Sequence, residues 1–331
     1  MTYISVFSVS FFLLLLGGGN NKANAQTNST SLGSYPNKSI RVIVPFPPGG
    51  AADLLPRIIS QKLIESLGQN FVVENKPGGG STIGVSQGAK AAADGYTLTL
   101  VTNGFTVNPS LYPNLPYDTL KDFVPIVRLA ASPHVLVINP DRLYKSVNEL
   151  AHASRQRTGT LTFASVGSGT ISHLEGEMLK KLANMPITHV PYKGLAPALT
   201  DVMGGHVTML FAAVPDIAQQ VKEGKLRALA ITSASRSRLL PELPTMSELG
   251  YLDFKFEAWF GLLAPAGVPP EVVRILNEEL NRILRLPEIS QRLLSQGLEP
   301  VGGTSQEFST FLREEISKYG KIVKESGARI D

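Results

Sequence analysis

Glycine pairs that follow short strands are the residues of this chain best placed to do chemistry, and the chemistry they suit is holding an anion. The run Pro45-Phe46-Pro47-Pro48-Gly49-Gly50-Ala51-Ala52-Asp53 follows a β-branched strand predicted over Ile40 to Val44 and opens an apolar-periodic helix running to Gly68. Adjacent glycines let successive backbone N–H groups point at one spot, and the first helical turn adds unpaired donors at the positive end of its dipole. A lone Gly-Gly would serve a tight turn equally well. Here the device recurs: Asn75-Lys76-Pro77-Gly78-Gly79-Gly80-Ser81-Thr82-Ile83-Gly84 follows a strand predicted over Phe71 to Val73. Two such loops in one βαβα unit fall at one edge of a parallel sheet and face one crevice. A third strand, glycine loop and helix appears further on, where Leu161 to Ala164 leads into Ser165-Val166-Gly167-Ser168-Gly169-Thr170. Gly50→Val is expected to abolish anion binding, because a β-carbon blocks the approach and resists any positive φ that the turn needs.

The catalytic motifs fail on individual residues. A phosphate-binding Walker loop needs Gly-Lys-Ser/Thr five residues after its first glycine, and Gly79 is followed there by Gly84 and Val85. A dinucleotide fingerprint meets Ile83 or Ser172 where its third glycine belongs, and a nucleophile elbow around Ser168 meets Val166. His134, His152, His173, His189 and His206 show no zinc-site spacing and read as helix-surface or strand residues. Ser168, His173 and Asp216 can be drawn as a triad on chain order alone. No catalytic residue, metal or cofactor is predicted, and the absence of cysteine excludes disulfides and thiolate chemistry.

With 331 residues the chain is long for one core, and two domains are expected. A formal charge of +4 without a basic tract gives no nucleic-acid surface. Val6 to Leu16 is an apolar run too short to span a bilayer comfortably, followed by the small-x-small site Ala23-Asn24-Ala25. Residues 1–25 are therefore expected to be a signal peptide cleaved after Ala25, sending the protein to the periplasm, with residues 26–34 a polar linker. The lack of Lys or Arg ahead of the apolar run keeps an uncleaved anchor as the alternative. N-terminal sequencing of the mature protein should read Gln26 first; Met1 on membrane-bound material would overturn export with cleavage.

In order, the second helix finishes at Ala93, Asp94-Gly95 turns, and a strand over Tyr96 to Thr102 ends in a loop at Asn103-Gly104, on the same sheet edge as the glycine loops. Extended segments over Phe123 to Ala131 and Val135 to Asn139 are broken by Pro133, where the first domain crossing is placed. Capping boxes at Ser146/Glu149 and Ser172/Glu175 start two helices, and a short capped helix is predicted over Thr245 to Leu249. Phe254 to Ala264 is an apolar run long enough to return to the first domain, and three amphipathic helices finish the chain. Alternating α/β units with two crossings describe a hinged cleft, with residues 35–131 and 256–331 as lobe I and residues 132–255 as lobe II.

PFPPGGAAD at Pro45 to Asp53, NKPGGGSTIG at Asn75 to Gly84, ADGYTL at Ala93 to Leu98, LPYDTLKDF at Leu115 to Phe123, HVPYKG at His189 to Gly194 and AWFGLLAPAGVP at Ala258 to Pro269 resemble the Bug family. These are extracytoplasmic receptors of tripartite tricarboxylate transporters. The resemblance implies an α/β, two-lobed periplasmic-binding-protein fold of type II, each lobe a central, mostly parallel sheet flanked by helices. It also implies a monomeric, non-enzymatic receptor that takes a di- or tricarboxylate, acidic amino acid or aromatic carboxylate and presents it to membrane transporter subunits. A secreted hydrolase using Ser168, or a non-transport sensor on the same fold, is the alternative.

Carried over residue by residue, the resemblance assigns Phe46, Gly49, Gly50, Asp53, Gly79, Gly80 and Ser81 to one carboxylate and Ser165, Ser168, Gly169 and Thr170 to the distal end. Asn103, Tyr192 and Asp216 join them by position; Tyr192 with Lys193 can face the cleft or a solvated turn, and Asp216 can read an amino group or cap its helix. The glycine loops contain no arginine and the nearest cation in them is Lys76, so backbone amides must hold the acid. Pro56 stands where the family commonly has a helix former, so the helix after Asp53 is expected to begin late or kink. Trp259 is expected in core or hinge packing.

Overall fold

The computed structural model describes residues 35–156, 160–237 and 240–326; the predicted signal peptide and linker lie outside them. The first half runs β1 (Ile40–Val44), α1 (Ala51–Leu67), β2 (Phe71–Asn75), α2 (Thr82–Ala89), β3 (Thr97–Val101), α3 (Asn103–Leu111) and the long β4 (Phe123–Ile138). It continues with α4 (Val147–Gln156), β5 (Thr162–Ser165), α5 (Ile171–Leu182), β6 (Thr188–Pro191), α6 (Leu195–Met203), β7 (Met209–Ala213), α7 (Val214–Lys222) and β8 (Arg227–Ile231). The chain returns through β9 (Glu257–Pro265) and closes with α8 (Pro270–Leu284), α9 (Pro287–Ser295), β10 (Glu299–Gly302) and α10 (Ser305–Ser326).

The strands order as β2-β1-β3-β9-β4-β7-β5-β6, with β8 and β10 also on β4. Parallel pairing, as expected, forms both ends: β1 with β2 and β3, β5 with β6 and β7. The middle is antiparallel, because β9 runs against both β3 and β4, and β4 runs against β7. The sheet is therefore mixed.

Pro133 does not break β4, contrary to expectation. Its ladder to β9 ends at Pro133 opposite Glu257, and its ladder to β7 starts at His134 opposite Ala213. The missing proline N–H thus falls where partners change, the one place in a central strand where it costs little. Each half has its own core. Ile40, Leu55, Leu100, Leu262, Leu276 and Leu280 pack α1 and α8 onto the first half of the sheet, while Leu136, Phe163, Leu174, Phe211 and Phe256 form a second cluster beyond Pro133. α10 joins the second cluster to a further one: Tyr319 and Ile322 pack in the second, while Phe308 and Leu312 pack with Trp259, Phe105 and Val101. Trp259 is fully buried there, as core packing requires.

Local differences have local causes. α1 begins at Ala51, not late, because Gly50 enters in extended backbone and its carbonyl accepts the N–H groups of Asp53 and Leu54 at 2.9 Å each; Pro56 sits inside the helix. The loop expected at Asn103-Gly104 is the first turn of α3, held by tertiary bonds from Asn103. Ser172 and Glu175 form no capping box: Thr170 takes the N-cap position of α5, and Glu175 is buried against His134. Thr245 and Glu248 do bond reciprocally at 2.8 and 3.0 Å, yet they close only a turn. β10 was not anticipated.

Candidate functional site

Four helices begin at one cavity of about 350 Å³. Ala52 brings the first turn of α1, Gly80 and Ser81 the entry to α2, Thr102, Asn103 and Gly104 the start of α3, and Ser168 to Ile171 the start of α5. The wall is completed by Phe46, Val107, Asn108, Leu111, Tyr112 and the β9 segment Ala258, Trp259 and Phe260. No Asp, Glu, His, Lys or Arg lines it. Its positive potential comes from helix N-termini, whose first N–H groups lack intrahelical acceptors.

Of the predicted site residues, Phe46, Gly80, Ser81, Asn103, Ser168, Gly169 and Thr170 line this cavity, whereas Gly49, Gly50, Asp53, Gly79, Ser165, Tyr192 and Asp216 do not. The first loop explains part of the difference. Gly49 carries the positive φ, +98°, while Gly50 is extended at φ −88° with open space around a would-be Cβ. The valine predicted to be disruptive at Gly50 is therefore compatible with the backbone, and the requirement for glycine sits one residue earlier. Asp53 is a clamp: its carboxylate accepts the Gly49 N–H at 3.1 Å, Arg57 Nε and Nη2 at 3.0 and 2.8 Å, and Asn75 Nδ2 at 2.9 Å. The Arg57 guanidinium holds its carboxyl down to about 2, so it stays ionised through ordinary pH. Arg57 is a cation near the loop that the loop sequences do not reveal, but Asp53 already neutralises it. Asp53→Ala should lower the unfolding free energy by about 2 kcal/mol, since bonds to a charged acceptor are each worth more than neutral ones, and urea unfolding would measure it.

The second loop is left-handed throughout. Gly78, Gly79 and Gly80 have φ of +123°, +57° and +60°, and Ser81 follows at +77°. A side chain held there is strained by roughly 1–3 kcal/mol and persists only where its surroundings over-determine it. Those surroundings are on α3: Tyr112 Oη donates to Gly79 O at 3.2 Å and Asn108 Nδ2 to Gly80 O at 3.1 Å. The Ser81 side chain is buried and makes no hydrogen bond among the described residues. Asn103, by contrast, is spent: Nδ2 donates to Glu257 O and Tyr319 Oη, and Oδ1 accepts the Trp259 N–H.

The third loop is braced from behind. Ser165 Oγ bonds Gly167 O at 3.0 Å and His189 Nε2 at 2.6 Å, and the Gly169 N–H donates to His173 Nδ1 at 3.0 Å. The two imidazoles stack with centroids 3.9 Å apart and their planes nearly parallel. His173 is therefore buried loop support, not the surface residue expected. Thr170 Oγ1 donates to Gly167 O at 2.6 Å, so its hydroxyl proton is used within the loop. Tyr192 donates to Asp201 at 2.5 Å; burial, and after it that carboxylate, pushes its phenol up to about 12. Lys193 and Asp216 are exposed. Asp216 lies in the first turn of α7 without a side-chain cap bond and makes no hydrogen bond to an imidazole, so the triad drawn from chain order is not assembled. Among the described residues no group of three His, Cys, Asp or Glu comes together for a metal.

The α3 wall was missed by sequence reasoning. Gly104, Val107, Asn108 and Leu111 stand at i, i+3, i+4 and i+7, a helical face that the Asn-Gly pair and Pro109 disguised.

Residues 55–328 match the family described as tripartite tricarboxylate transporter family receptor, TctC. The chain belongs to that family. It is 38% identical over 302 residues to protein BugT of Bordetella pertussis, covering 91% of this chain and 93% of the relative. Among solved TctC-like structures, an R. palustris protein determined with adipate superposes at a TM-score of 0.81 with 34% identity, over 90% of this chain and all of that one. The Rhodopseudomonas palustris protein MatC with bound malate gives 0.76 and 30%, over 87% and 100%. The fold is thus the two-lobed periplasmic-binding-protein fold, and the Bug and TctC relatives are solute-binding receptors. No helix among the described residues is long and apolar enough to cross a membrane.

Proposed function

We propose that this protein is a periplasmic receptor which captures a small carboxylated solute as a single chain and presents it to a tripartite membrane transporter. The observation that carries the reading is the convergence of four helix N-termini on a cavity without a charged side chain. Such a site holds an anion through main-chain donors. The relatives solved with adipate and malate support the ligand class. Thermal shift against a panel of mono-, di- and tricarboxylates tests it: at about 100 times Kd the native state gains roughly 2.7 kcal/mol, a shift of several degrees. A panel with no member that stabilises the protein would sink the proposal.

The lobes we assign, residues 35–131 with 256–331 and residues 132–255, each contribute to the cavity wall, lobe II through the α5 loop. Ligand then cross-links them and favours the closed form. Hinge motion is placed at Ala131 to Val135 and Phe254 to Gly261, where β4 and β9 cross. Small-angle scattering should show the radius of gyration fall on saturation with a stabilising acid. An unchanged radius would place the empty protein in the closed form already. Thr170→Val should still weaken binding, now because the Gly167 turn is released and not because a ligand donor is lost.

A further inference from the structure

On the footing of the carboxylate reading, we infer that capture of the acid is coupled to a proton held behind the cavity wall by His134 and Glu175. The receptor binds tightly while the buried pair carries that proton and weakly once it is lost.

The pair backs the wall on two elements. Ser132, two residues before His134 on β4, pairs with Ala258, and Ala258 lines the cavity. Glu175 follows the wall residue Ile171 by four positions on α5, about 6 Å along the helix axis. His134 Nδ1 and Glu175 Oε2 are 2.7 Å apart, with side chains 7% and 0% exposed. The second carboxylate oxygen is buried without a hydrogen-bond partner. A full negative charge there is costly unless the imidazole beside it is charged. Other groups face the pair from the neighbouring elements. Asp216 on α7 acts on His134, Lys318 on α10 acts on Glu175, and Tyr319 on α10 is kept protonated by burial. At the end of β8 the Thr232 hydroxyl bonds the His134 main chain.

The sign of the coupling follows from charge. With an imidazolium the pair is neutral; when the proton leaves, a net negative charge remains behind the wall that receives an anion. Across about 6–10 Å at an effective dielectric of about 20, that repulsion is worth more than about tenfold in affinity. The loss also weakens a charge-assisted bond that ties α5 to β4, and α5 opens in the wall, so both effects act in one direction. By reciprocity the bound anion makes the pair hold its proton more firmly. Burial works against the charged imidazole, but the Glu175 carboxylate outweighs it, so the proton is lost above the ordinary imidazole range. Affinity therefore falls as pH rises through that point, by at most about tenfold per pH unit for one proton.

Calorimetry on the purified mature chain with adipate, malate and benzoate from pH 6.5 to 9, where carboxylates are ionised, tests this. For the acid that binds best, Kd is expected to rise at least about tenfold across the range. On the alkaline side binding should take up protons, read as a dependence of the observed heat on the ionisation enthalpy of the buffer. In Glu175→Gln no charge remains to be compensated, so both effects should vanish and affinity should stay within about threefold of wild type at pH 6.5. His173 and His189 are unchanged in that variant, and a pH dependence that survives in it belongs to them and overturns the inference. A wild-type Kd constant within about twofold, without proton uptake, also overturns it, leaves the carboxylate reading standing, and needs no variant to fold. If none of the three acids binds at pH 6.5, the carboxylate reading itself falls.

Discussion

Gly80→Val should yield a folded protein that no longer binds carboxylates. Gly80 sits at φ +60°, a region that costs an L-residue about 1–2 kcal/mol, more when β-branched, and a Cβ there would meet Tyr112 Oη at 2.5 Å. Relief requires either the glycine turn to flip or Tyr112 to swing out of the wall, and both dismantle the cavity between Ser81 and α3. A loss above about 100-fold in affinity, or about 2.7 kcal/mol, is expected by calorimetry. The strand cores lie away from the turn, so circular dichroism and cooperative unfolding should be retained. Gly50→Ala is the companion variant: at φ −88° with open space it should bind within a few-fold of wild type. Normal binding by Gly80→Val would remove the second loop from the site.

The largest expected effect on stability is at His134, with a loss of about 3–5 kcal/mol in His134→Ala at neutral pH. His134 Nδ1 lies 2.7 Å from Glu175 Oε2, with side chains 7% and 0% exposed, and the other Glu175 oxygen is buried without a hydrogen-bond partner. Burial alone would drive the proton off His134, but the Glu175 charge and hydrogen bond outweigh it and raise its pKa; burial raises that of Glu175. Both shifts are upward. From about pH 4.5, and most steeply above 6.5, the folded pair therefore holds more proton than the unfolded chain, and stability falls as pH rises. Glu175→Gln should reverse the slope between pH 5 and 7: the buried imidazole then prefers the neutral state, the unfolded chain binds more protons, and stability rises with pH. Urea unfolding across that range reads the sign. Equal slopes in wild type and Glu175→Gln would show that the pair carries no proton through the transition. Because His134 starts the β7 ladder and Glu175 lies on the helix that begins at the cavity, the pair also fixes α5 to the crossing.

How much of this was legible in the sequence depended on whether a local signal had a tertiary competitor. The glycine loops, β-branched strands and amphipathic tail helices were read correctly because chain-local physics fixes them. α3 was lost because Asn103-Gly104 and Pro109 are turn formers locally, and what holds them helical is Asn103 reaching β9 and Tyr319 on α10. The capping box at Ser172 failed for the same reason: Glu175 does better against a histidine 41 residues away than against its own helix end. At the site, residue type pointed to loops that converge on one cavity, but only some of the residues chosen line it. Asp53, Ser165 and Thr170 proved to be braces for the main chain, a role that spacing does not distinguish from ligand contact. The charge pairing of Arg57 with Asp53 follows i, i+4 spacing, and was visible in principle.

The path of β9 sets an order on synthesis. Thr99 of β3 pairs with Leu263, and Arg128 of β4 with Gly261, so the first half of the sheet has a gap until β9 has been made. Residues 132–255 can complete their own strand pairs sooner, since β4 to β8 are contiguous in the chain. A nascent chain of this design therefore carries an unfinished N-terminal half through most of translation. Long-range closure of this kind is slow. The delay keeps the N-terminal half short of its final packing while the rest is still being synthesised.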